Sequence, residues 1–130
     1  MVFAEPDANP CIRIVMSTAL RHAGLPPRDP FAPGGLLSLG RPGHLYRLFE
    51  EVGFREVSIF RIDAPFRFPS VDDYIAFLRS AAAPVIAMLS KLGPEAQEAA
   101  WRDMGKQLSQ FGGPEGWSGP NTLLITAGQR

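Results

Sequence analysis

Apolar residues recur at helical spacing in four stretches of this chain and cluster at strand-like density in three others. Ile12, Val15, Met16, Ala19 and Leu20 fall on one helical face. Asn9 stands as the N-cap of that helix, Pro10 takes its first position and Gly24 is its stop. Leu45, Leu48, Phe49 and Val52 make a second stripe, ended by a left-handed Gly53, with Phe54 folding back on the last turn. Ser70 and Asp73 form an S-x-x-D capping box ahead of a third run. In that run Tyr74, Phe77, Leu78, Ala81, Val85, Met88, Leu89 and Leu92 repeat at three- and four-residue steps. Pro84 lies inside it and should kink or split the helix near Ser80, because its ring clashes with the carbonyl four residues back. Gly93 breaks the run and Pro94 opens a fourth helix, whose Trp101, Met104, Leu108 and Phe111 face the third as an αα-hairpin.

The strand-like runs are Val2 to Ala4, Val57 to Ile62 and Thr122 to Ala127. In the second, Val57 and Ile59 lie on one face and Phe60 and Ile62 on the other. With both faces apolar, that strand is expected to be covered on both sides. Proline and glycine, thirteen of each, punctuate the remainder. LPPRDPFAPGG reads as an extended surface connector, APFRFPS as an extended aromatic stretch, and Gly112 to Pro120 as a glycine-rich loop. The pattern is that of a single α+β domain over residues 1–130.

Composition narrows the class of protein. An apolar share of 45% is that of a globular chain. Thirteen basic residues balance thirteen acidic ones, so no net field draws the chain to nucleic acid or acidic lipid. No apolar run approaches the length of a membrane span. Glu5 and Asp7 replace the basic start of a secretory signal, so a cytoplasmic location is expected. The one cysteine, Cys11, excludes an internal disulfide and a cysteine-based metal cage.

Few residues carry candidate chemistry. His22 and His44 have no ligand-spaced cysteine or carboxylate beside them, so no metal site is expected, and His22 reads as a cap favoured by a helix C-terminus. Cys11 opens a helix, where the dipole can lower a thiol pKa, but no histidine pattern marks it as a nucleophile. Glu50 and Glu51 read as a solvated helix face supported by Arg47. GGPEG lacks the G-K-[ST] of a phosphate loop. No catalytic residue emerges. The aromatic group Phe66, Phe68, Tyr74 and Phe77 has two readings: core packing under the long helix, or one wall of a pocket for an apolar small molecule.

The order of these pieces resembles the C-terminal half of Rossmann-like S-adenosylmethionine-dependent methyltransferases of the ubiquinone/menaquinone-biosynthesis type. VFAEPDANP is similar to the end of the fifth strand and the start of the next helix. RPGHLYRLFEEVGFREVSIFRI resembles the last Rossmann helix and the sixth strand, with Leu45, Leu48, Gly53 and Phe54 spaced as L-x-x-L-x-x-x-x-G-F. APFRFPSVDDYIAFL resembles the helical insertion that follows, here about residues 70–112, and TLLITAGQR the seventh, antiparallel strand. The resemblance implies a few-stranded sheet with an antiparallel final strand, an αα-hairpin insertion and two further helices.

The departure from the family concerns the cofactor. The glycine-rich loop after the first strand and the acidic residue ending the second bring backbone and carboxylate to S-adenosylmethionine in such enzymes. No stretch here matches either, so no cofactor residue is carried over and no cofactor is expected for the chain alone. What remains resembles the side that covers the methyl acceptor. A sheet without its first strands has an exposed edge, and large side chains left bare cost roughly 1.5–3 kcal/mol each. A homodimer, or a partner chain carrying the cofactor-binding half, is therefore expected. Three readings follow: a non-catalytic methyltransferase-like domain, the substrate-side subunit of a split enzyme, or a fragment of a complete one.

Overall fold

The computed structural model describes residues 1–130, and the backbone divides into two compact units. The first comprises Met1–Pro10, Arg28–Pro65 and Pro120–Arg130, and the second Cys11–Pro27 and Phe66–Gly119. Each has a small antiparallel sheet, so the fold is mixed α+β.

In the first unit, β1 (Val2–Phe3) and β2 (Arg55–Asp63) flank β6 (Thr122–Gln129), and both pair with it antiparallel. Helix α2 (His44–Glu51) precedes β2 and ends as its sequence predicts. Gly53 takes a φ of +92°, and the Phe54 amide donates back to the Phe49 carbonyl at 2.9 Å. The Phe54 ring then lies 5.0 Å from that of Phe49. This helix covers one sheet face, where Leu45 meets Leu124 and Ala4. A Cβ on Gly128 would touch Phe49 and Phe54, which places that glycine under the same helix. Val52, expected on the buried stripe, is 68% exposed, because it lies past the last helical turn.

The expectation that β2 is covered on both sides is overturned. β2 is an edge strand, and every residue in it except Val57 is exposed. Its register against β6 places Ile59 opposite Thr126 and Arg61 opposite Leu124, on the face shared with α2. Phe60 and Ile62 stand on the other face beside Ile125 and Leu123, and Phe60 is 58% exposed. A bulge between Arg55 and Ser58, with Glu56 at a φ of +50°, interrupts the strand's start. At the opposite edge, β1 is only two residues long and the Gly40 turn packs against the backbone of Phe3 and Ala4.

The second unit holds α1 (Pro10–His22) from Cys11 onward, α3 (Val71–Ala81), α4 (Ala83–Leu89) and α5 (Pro94–Leu108). Gly24 stops α1 at a φ of +68°, with the Leu25 amide returning to the Leu20 carbonyl at 2.9 Å. The Ser70 hydroxyl oxygen accepts from the Asp73 amide at 3.2 Å and donates to the Asp73 carboxylate at 2.7 Å, fixing the start of α3. Pro84 splits the helical run at Ala82, as its ring requires. Trp101, Met104 and Leu108 of α5 are buried with Tyr74, Leu78, Val85 and Leu89 in one core.

The extended APFRFPS stretch and the glycine-rich loop both hold strands. β3 (Phe66–Phe68), β5 (Gly116–Gly119) and β4 (Gly112–Gly113) form a second sheet in that order, with β4 and β5 joined as a hairpin. No helix in the chain is long and apolar enough to cross a membrane.

Candidate functional site

Phe66 and Phe68 are two residues apart on β3, so their rings share one sheet face. Register places Phe68 opposite Trp117 and Phe66 opposite Gly119. Tyr74, one turn into α3, stacks on Trp117 with centroids 4.4 Å apart and planes 19° from parallel. Phe66 lies 5.8 Å and Phe68 5.3 Å from the Tyr74 ring. Phe77, one turn further along α3, lies 5.5 Å from Phe68. The four aromatic residues expected to act together are thus one cluster in the second unit.

Two members of the cluster lie outside the group read from the sequence. Trp117 is 2% exposed, donates its indole N–H to the Leu108 carbonyl at 2.7 Å, and forms the cluster's centre. Phe111 meets it edge-on at 6.4 Å. The only local signal for Trp117 was a large aromatic residue alone in a run of glycines. Burial separates the members into core and surface. Tyr74 is 3% exposed and Phe77 is 47% exposed, while Phe66 and Phe68 are half-buried.

Two hollows flank the β4–β5 hairpin. One, of 220 Å³, is bounded by Pro69, Ser70, Val71, Ser109 and Trp117 among others. The other, of 740 Å³ and open to solvent, is bounded by Arg67, Phe68, Phe111, Glu115, Trp117 and Ser118 among others. Phe68 borders the larger one, whereas Phe66, Tyr74 and Phe77 border neither.

Cys11 is buried at the start of the second unit, in the same core as Tyr74. Desolvation pushes its thiol pKa up to about 12, so the sulfur stays protonated and packs as a small hydrophobe. Burial, with a smaller contribution from Cys11, also raises the Tyr74 phenol well above its ordinary value. Neither group can serve as a base or nucleophile near neutral pH. The cluster offers stacking surface and apolar contact.

His22, in the last turn of α1, places Nε2 2.8 Å from the Asp103 carboxylate of α5. Arg21 reaches the same oxygen at 2.7 Å, and the Gln107 amide donates to the other at 3.0 Å. The His22 hydrogen bond, followed by that of Arg21, lowers the Asp103 pKa to about 2. This group ties two helices together through a carboxylate already fully engaged. His44 opens α2 and joins no ion pair, and Arg47 pairs with neither Glu50 nor Glu51. No group of three or more histidine, cysteine or acidic side chains is placed to hold a metal ion.

In the first unit, Asn9 is fully buried and acts on the chain's own backbone. Its Oδ1 accepts from the Thr122 amide at 2.9 Å, and its Nδ2 donates to the carbonyls of Ala4 and Thr122 at 3.2 Å each. The side-chain oxygen assigned to capping from sequence is thus engaged by a residue 113 positions away. Asn121 donates to the Ala64 carbonyl at 3.1 Å, while its own Oδ1 is buried without a partner. Comparison with protein-family models, with curated proteins and with solved structures finds no match to this chain.

Proposed function

We propose that these residues form a methyltransferase-like C-terminal domain that does not bind S-adenosylmethionine by itself, is dimeric, and takes an apolar small molecule at its aromatic cluster. The observation that best supports this reading is the sheet of the first unit. The resemblance calls for an antiparallel final strand beside two earlier ones at one side of the fold, and β6 neighbours both β1 and β2 with that polarity. The resemblance also calls for helices between the last two strands, and α3, α4 and α5 lie between β2 and β6 in the chain, with α3 packed on α5. The donor would be bound by residues this sequence does not include, since no glycine-rich loop of the required form occurs in it.

A second reading is the substrate-side portion of an active methyltransferase, with the donor site on a partner chain or elsewhere in a longer one. The exposed Phe60 and Ile62 favour a protein partner of some kind, because a bare apolar face is costly in water. Within either reading, the exposed Phe77 and the half-buried Phe66 and Phe68 have surface to offer a ligand, and the buried Tyr74 and Trp117 pack against them.

Light scattering and a calorimetric titration with S-adenosylmethionine on one sample test the proposal. The expected result is a monodisperse dimer with no binding heat. Micromolar binding by the isolated chain would overturn the absent donor site, and a strict monomer would overturn the dimer.

A further inference from the structure

No further inference is drawn: the strongest candidate, the apolar sheet face of Phe60, Ile62, Leu123 and Ile125 in the first unit, carries nothing beyond the assembly already proposed, because nothing in the structure shows what covers it.

Discussion

Gly119 lies so close beneath Trp117 that a Cβ on the glycine would fall 2.4 Å from the indole Cη2 and 2.6 Å from the Cys11 sulfur. Neither neighbour can yield easily. The indole is held by Leu108 and stacked on Tyr74, and the sulfur is buried. Gly119→Ala should therefore destabilise the second unit by about 1–3 kcal/mol, the usual cost of forcing extra volume into a packed core. Urea denaturation followed by tryptophan fluorescence reads the change. A variant as stable as the parent would show that the ring has room to move.

Gly40 has the same limitation for a different reason. Its missing Cβ would meet the Ala4 carbonyl oxygen at 2.5 Å and the Phe3 oxygen at 2.7 Å, so backbone and not a side chain blocks it. Gly40→Ala must push the 28–43 segment away from β1. The expected loss is roughly 1–3 kcal/mol, confined to the first unit. Hydrogen exchange should report it as faster exchange at the Ala4 amide, which donates to Thr122.

What could be read from the sequence were the local signals. The Ser70–Asp73 cap, the stops at Gly24 and Gly53 and the split by Pro84 each depend on residues within about one turn of helix. The exposure of β2 could not be read this way. Ile59, Phe60 and Ile62 look like a strand buried on both faces, and nothing in their spacing records that the sheet ends there. The β4–β5 hairpin was hidden by four glycines, which have weak strand propensity of their own and pair here because Phe66 to Phe68 supplies the neighbouring strand. The aromatic group at Phe66, Phe68, Tyr74 and Phe77 was visible, but its centre at Trp117 was not. His22 and Asp103 are 81 residues apart, and no motif connects them.

Glu56 occupies the left-handed region at a φ of +50° in the β2 bulge, where a side chain costs about 1–2 kcal/mol. Glycine removes that strain but adds conformational freedom to the unfolded chain, which offsets part of the gain. Glu56→Gly should stabilise by ~0.5–1 kcal/mol, a midpoint rise of roughly 2–4 °C for a chain of this size. Glu56→Val should lower the midpoint instead, since a β-branched residue tolerates that conformation least. Calorimetry on the two variants checks the sign.

Asp103 makes stability depend on acid. Its pKa is lowered to about 2 by His22 and Arg21, below the ordinary carboxyl value of about 3.9. A depressed folded-state pKa stabilises fully above the unfolded value and is lost as pH falls through the folded one. The contribution should be complete above about pH 4 and gone below about pH 2. Allowing for partial solvent screening, it amounts to about 1–2 kcal/mol. Asp103→Asn should lose this at neutral pH and converge with the parent near pH 2. Denaturant midpoints measured across that range give the difference directly, and a constant gap between the two proteins would refute the linkage.

The proposed dimer makes its own demand on Phe60. At 58% exposure, this ring contributes little to the fold of a single chain, so replacing it should barely change unimolecular stability. In a dimer that buries the face of Phe60 and Ile62, a charge at this position would enter an apolar contact without a partner. Phe60→Lys should then raise the dissociation constant at least tenfold while leaving the circular dichroism spectrum unchanged. Sedimentation velocity over a concentration series distinguishes the cases. A dimer that survives the lysine unaltered would exclude this face as the seam, and one that dissociates with an intact spectrum would identify it.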